Sequence, residues 1–378
     1  MMQKQAMKSL YTYRSRVNTV HVISLIKETM MKRSLLALLV GLFTAILLIT
    51  GSALADGDGV SSHGKIVVAN RASGSISVID VETDSIIDNV ALPGPNPAEP
   101  MYVVYSKFGD RVFVGDRAND QVVVFDAADF SVVDTVPAGE GVFHMWADSR
   151  GRQLWVSNDV DNTATVIDTG TLDVIATVPM PVDLVADGGK PHDVILDRAG
   201  RFAYVTMLGF AGPNDYVVQF STRTFDEVGR AEVGKDPHLS LANRGRSLYI
   251  PAQNSDIVSV FNRFTLDPIT EIAVPGAHGA GMRTDGRIFY TTNLPNGGVD
   301  GLFAIDTRTN QVLDSVDTPY PVPHNIALTP SGDKLYVTHS GGASDKVSIY
   351  SASKSEPVPV LLGEVTVELN PFGLAYVP

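Results

Sequence analysis

The chain has 378 residues, no cysteine and a formal net charge of −13. The missing cysteines exclude disulfides, thiolate metal sites and covalent c-type haem attachment. The acidic balance argues against nucleic acid and anionic lipid as partners, and the length fits either two ordinary domains or one repeat protein.

Residues 1–55 read as an extension plus a leader. Met31-Lys32-Arg33 precedes an apolar run from Leu35 to Thr50, and Ala53-Leu54-Ala55 follows in an A-x-A pattern. A basic region, an apolar core and a small-residue site are the parts of a secretory signal, with cleavage expected after Ala55. The expected location is periplasmic or extracellular. Left uncleaved, the same run is close to the lower length limit of a membrane anchor. This segment carries seven of the Lys and Arg residues and one of the acids, which leaves a net charge near −19 on the remainder. Residues 56–63 form a short leader into the fold.

From Lys65 onward the signal is strand throughout. Runs of four to seven β-branched and aromatic residues are separated by Gly, Asn, Asp and Pro. One unit recurs: KPHDVILDRAGRFAYVT at Lys190, FHMWADSRGRQLWVSN at Phe143, PHLSLANRGRSLYIP at Pro237, AHGAGMRTDGRIFYTTN at Ala277 and PHNIALTPSGDKLYVTH at Pro323. A further copy at Met101 has Tyr102 in the place of the histidine, and the C-terminal NPFGLAYVP has Phe372 there. A third strand, often ending in Asp (Asp80, Asp126, Asp168, Asp306), and a fourth strand complete the unit. Four short strands every 40–50 residues predict a propeller blade. The first segment, from Lys65, lacks a first strand, and Pro371–Pro378 supplies one. The prediction is an all-β, seven-bladed β-propeller over residues 64–378, four antiparallel strands per blade, closed by the two chain ends.

These residues resemble the YVTN-type seven-bladed β-propellers, secreted relatives of the haem-d1 domain of cytochrome cd1. The resemblance covers the whole of residues 64–378 and is specific for fold; the fold hosts many chemistries.

In such a blade the first strand lines the central channel, so His144, His192, His238, His278 and His324, with Tyr102 and Phe372, are expected at one level at the top of the channel. Converging imidazoles without thiolates suit copper, zinc, iron or nickel. Met282, four residues after His278, is an expected soft donor that favours copper over zinc or iron, and His339 a further accessory ligand. Lys190, Lys235 and Arg283 are placed on the same face, where they would hold an anionic substrate. The reading is an exported, monomeric propeller that binds a metal or small molecule at this funnel, with a redox role in view. Two alternatives stand beside it. One is a non-catalytic scaffold whose top loops grip a protein partner and whose histidines are structural. The other is a lactonase-like hydrolase, because 6-phosphogluconolactonase-type propellers share the Pro-His then Tyr-Val pattern seen at Pro191–Val205. Nitrous oxide reductase is similar in gathering copper on histidines of a seven-bladed propeller, although Tyr102 and Phe372 depart from its ring. The haem-d1 propellers make a tetrapyrrole a further cofactor implied by resemblance.

If Ala53-Leu54-Ala55 is the processing site, intact-mass measurement of exported protein will give a chain starting at or near Asp56. A mass that retains residues 35–55 would show an anchor instead.

Overall fold

The computed structural model describes residues 64–241, 245–295 and 298–378. The expected leader, its cleavage site and His63 lie outside the described residues. Seven four-stranded antiparallel sheets are present, each running in order from an inner strand to an outer one. The closing sheet pairs the C-terminal strand Pro371–Val377 with the N-terminal strand Lys65–Asn70. We number the blades from Pro100, so that this closing sheet is blade 7. Among the described residues no helix is long and apolar enough to cross a membrane.

The strand pattern explains where the core sits. Side chains alternate between the two faces of a strand, and here each face of a blade meets a different neighbour. In the sequence Leu335-Tyr336-Val337-Thr338, Leu335 and Val337 pack into the cluster shared with blade 5, while Tyr336 packs into the one shared with blade 7. Seven such clusters occur, one at each blade–blade interface, including the one that joins blade 7 to blade 1. Strands buried on both faces are why the second and third strands read as near-continuous apolar runs.

The Tyr and the Thr of this motif each tie one blade to the next. Tyr204 donates to the Arg263 carbonyl at 2.5 Å, Tyr249 to Asn310 Oδ1 at 2.8 Å, Tyr290 to the Pro357 carbonyl at 2.8 Å and Tyr336 to Asp84 Oδ1 at 2.6 Å. All four acceptors lie in outer turns of the following blade. The Thr or Ser two residues on reaches the following blade's inner strand. Ser157 donates to the His192 carbonyl, Thr292 to the His324 carbonyl at 3.1 Å and Thr338 to the Phe372 carbonyl at 2.8 Å. The turn glycines of the repeat, such as Gly151 (φ +68°) and Gly332 (φ +73°), hold the left-handed conformation that links first and second strands.

The closing strand follows the same logic, so its loss should be costly. Deleting Asn370–Pro378 removes Phe372 and exposes the full edge of Lys65–Asn70. The expected result in thermal denaturation is a large fall in melting temperature or loss of a cooperative transition. A truncated chain that melts like the full one would contradict this closure.

Candidate functional site

The inner strands carry the site, and a local irregularity sets its shape. In six blades the pairing of the inner strand with the second strand slips by one residue near the top. In blade 3, Pro191 pairs with Met207 but Val194 with Val205. The same slip occurs at Pro100/Val103, Val142/Met145, Ala277/Ala280, Pro323/Ile326 and in blade 7 opposite Val68/Asn70. This is a β-bulge, in which two residues oppose one. The hydroxyl of the YVT motif stabilises it: the amides of Asp193, Gly279 and Asn325 donate to Thr206, Thr292 and Thr338 Oγ1 at 3.0, 2.8 and 3.0 Å. Blade 4 has Pro251 at that place and no hydroxyl. Its pairing stays regular, with the His238 amide bonded to the Pro251 carbonyl at 2.7 Å.

The bulge corrects the expected single ring. Counted from the slip, His144 and Tyr102 are the second residues of their bulged pairs, whereas His192, His278 and His324 are the first. Two tiers result. In the upper tier, aromatic rings touch around the axis: Phe143–His192 4.5 Å, His192–His238 4.9 Å, His238–His278 3.7 Å, His278–His324 4.7 Å, His324–Phe372 4.0 Å and Phe372–Phe143 6.2 Å between centroids. Met101 takes the corresponding place in blade 1 and is fully buried. In the lower tier, Tyr102, His144, Asp193 and Asn325 join His238 and His278 at the inner end of a cavity of about 520 Å³. The cavity runs down the inner strands to Lys107, Ser149, Arg198 and Thr284 in the first-to-second-strand turns. The expected funnel mouth is thus crowded by packed rings, with the cavity below them.

Asp193, which the sequence reading passed over, is the centre of the charge. Its Oδ1 lies 3.2 Å from His192 Nδ1 and its Oδ2 3.4 Å from His238 Nδ1, and Oδ2 also accepts the Leu239 amide at 3.2 Å. Burial alone would raise its carboxyl; the neighbouring imidazoles of His144, His238 and His192 outweigh that and hold it well below the usual range. His238 is the reciprocal case: burial disfavours its charge, but Asp193 and then Asp236 raise it above the ordinary histidine value. Burial and neighbouring imidazoles push His278 well below that value, burial is the main cause that lowers His144, and burial brings His324 to about 3. The site therefore holds one carboxylate beside one favoured imidazolium, among neutral imidazoles. Burial, then the Asp193 charge, keeps the Tyr102 phenol protonated far above its ordinary range.

His192, Asp193 and His238 offer donor atoms within 4.8 Å of one another. His192 Nδ1, Asp193 Oδ1 and His238 Nε2 are buried without a hydrogen-bond partner among the described residues, the 3.2 Å contact being too bent to count as one. The other expected ligands are placed differently. His144 Nδ1 accepts the Val194 amide at 3.2 Å, His278 Nδ1 meets Gln253 Oε1 at 2.8 Å, and Asn325 donates to His324 Nδ1 at 2.8 Å. His339 is fully buried within blade 6, its Nδ1 against the Pro321 carbonyl and its Nε2 against Ser348 Oγ, so it is structural rather than accessory. Met282 lines the cavity near its far end, about 13 Å along the strand from His278 at the ordinary rise. Arg283 lies beyond it, buried and bonded to Ser353 O and Asp285, on the face opposite the histidines. Lys235 is bound to Asp215 and the Phe210 carbonyl, and Lys190 is exposed at the start of its strand.

Residues 56–271, more than half of the chain, match the family described as "Lactonase, 7-bladed beta-propeller". No curated protein sequence matches. Among solved structures, a proposed 6-phosphogluconolactonase from Bacteroides fragilis is similar at 18% identity and a TM-score of 0.66, over 85% of this chain and 100% of that one. A protein from Lactobacillus plantarum gives 17% and 0.67, over 83% and 100%. Dihydro-heme d1 dehydrogenase NirN gives 16% and 0.56, over 82% and 74%. At these identities the structural likeness shows the fold alone.

Neutral burial of His324 and His339, the latter lowered to about 4 mainly by burial, has a pH signature. Both folded values lie below the unfolded one of about 6.5. Their contribution is thus full above pH 6.5 and lost as pH falls toward 4 and then 3, by up to about 1.4 kcal/mol per pH unit for each group. Melting temperature should drop steeply between pH 6.5 and 4, and less steeply in His339→Gln. Equal slopes would contradict this assignment.

Proposed function

The chain belongs to the lactonase family of seven-bladed β-propellers, and from that premise we propose that it binds a divalent transition-metal ion at His192, Asp193 and His238, facing a small molecule in the channel. Three gathered donors, with His192 Nδ1 and Asp193 Oδ1 buried, unpartnered and 3.2 Å apart, carry this reading. Each such atom left alone costs about 1–3 kcal/mol, and a cation between these two, with His238 as third ligand, would relieve both. Two imidazoles and a carboxylate suit zinc, iron, manganese, nickel or copper. Copper stays favoured on the general affinity order of divalent ions at such sites, not on a thioether, since Met282 is too remote to bind the same ion. A metal here would polarise a carbonyl or activate water. In this reading the protein works outside the cytoplasm, where its N-terminal segment would send it.

The family match favours a second reading of the same cavity, lactone hydrolysis. The neutral imidazoles of His144 and His278 face the cavity and suit a general base. Water loses a proton to an imidazole and adds to the lactone carbonyl. The ring C–O bond then breaks, and the leaving alkoxide takes the proton back. Acid release from a lactone, followed by pH-stat and lost in His278→Ala, distinguishes this reading from binding alone.

The metal reading has its own test by calorimetry. Zinc or copper titrated into chelator-treated protein should bind one per chain. Affinity should fall roughly tenfold per pH unit once His238 is protonated, because the ion must displace that proton. His192→Ala/His238→Ala should weaken binding on the order of 100-fold or more, while His339→Ala leaves it unchanged. Unaltered binding by the double variant would remove the metal from this place.

A further inference from the structure

The walls of the channel point to the ligand it takes. Between the polar inner end and the polar turns, each inner strand contributes a short stretch. These stretches present Leu196, Leu241, Met282, Ile326, Leu328 and Leu374, with alanines between them. Among the described residues, Ser240 is the one hydroxyl in the middle of these walls apart from tyrosines near the ends, and it is buried. The apolar section spans three residues of each strand, about 10 Å. Trp146 lies in this wall with 43% of its surface exposed, beside His144 and nearly parallel to it. An indole left open inside a channel, rather than packed in a blade, is a surface for a ligand to cover.

We propose that the occupant is amphipathic: a small lactone or ester head at Asp193, His238 and His278, followed by a medium-length aliphatic body along the apolar walls, its far end near Lys107 and Arg198. This rests on the reading of the cavity as the ligand site and names its substrate class. A polyhydroxylated sugar lactone is disfavoured by the same walls. Its hydroxyls would lose water against leucine and isoleucine with no partner in return. An alkyl chain gains free energy with each methylene it buries.

The chain has two tryptophans, and Trp155 is fully buried in a blade interface, so quenching of the exposed Trp146 reports on the cavity. The probes are γ-hexalactone, γ-octalactone and γ-decalactone, with glucono-δ-lactone for comparison, added to EDTA-treated full-length protein. Affinity should rise roughly fourfold per methylene, about two orders of magnitude from the six- to the ten-carbon lactone. Glucono-δ-lactone should bind far more weakly. The signal should vanish in Trp146→Phe, and γ-decalactone binding, followed by calorimetry, should be lost in Ala280→Phe, which fills the channel, at unchanged melting temperature. Should Ala280→Phe not fold, the chain-length series on the unaltered protein decides alone. No chain-length dependence, tighter binding of glucono-δ-lactone, or no quenching by any probe would overturn the inference. Since the metal is absent, the two readings separate: a protein that takes γ-decalactone but no zinc keeps this inference and loses the metal site. One that takes zinc without preferring longer chains does the reverse.

Discussion

A β-bulge at the top of the inner strand sets the shape of the site, and in blades 3, 5 and 6 a hydroxyl on the second strand braces it. Thr292 and Thr338 each accept an amide from the bulge of their own blade and donate to a carbonyl of the following one. The bulge then presents two consecutive residues toward the axis instead of one. Blade 4, with Pro251 in the hydroxyl's place, has no bulge, and His238 stands alone where blade 3 offers both His192 and Asp193; blades 1 and 7 carry Gly115 and Ala69 there and keep the bulge, so the hydroxyl braces it without being its cause. Where it is present, the Thr or Ser of the repeat ties the bulge of one blade to the inner strand of the next.

Much of the fold could be read from residue patterns because a propeller is periodic. Each glycine turn, each Tyr-Val-Thr run and each Asp-ended third strand recurs, and the orphan strand at Pro371 pairs with Lys65 as its missing partner required. The site was less legible. Alignment by the histidines alone set His144 beside His192, yet counting back from the turn glycine puts Phe143 there and His144 opposite Asp193. That count was available in the sequence. What was not available is that both residues of the pair reach the axis, since strict alternation sends one of two neighbours away. Met145 follows that rule and points into the core between blades 1 and 2, but Asp193 does not, and for that reason it was missed. Arg283 was misplaced for a simpler reason: five strand residues beyond His278 carry it to the opposite face.

The physical consequences run together. Burial strips the imidazoles of water and keeps most of them neutral, while one carboxylate retains its charge because His238 shares it. A neutral imidazole is a ligand or a base, whereas an imidazolium is neither. Aromatic rings from Phe143 to Phe372 pack about the top of the channel, and the cavity below them runs from Asp193 and His238 along an apolar wall. Reactive polar groups at the end of an apolar passage favour molecules that combine both characters.

The most direct measurement is a crystal structure of the protein grown with zinc or copper, with diffraction data collected across the metal's absorption edge. The account predicts one strong anomalous peak at bonding distance from His192, Asp193 and His238, at the inner end of the cavity. Peaks confined to the acidic surface, or none at that place with the three side chains well ordered, would contradict it.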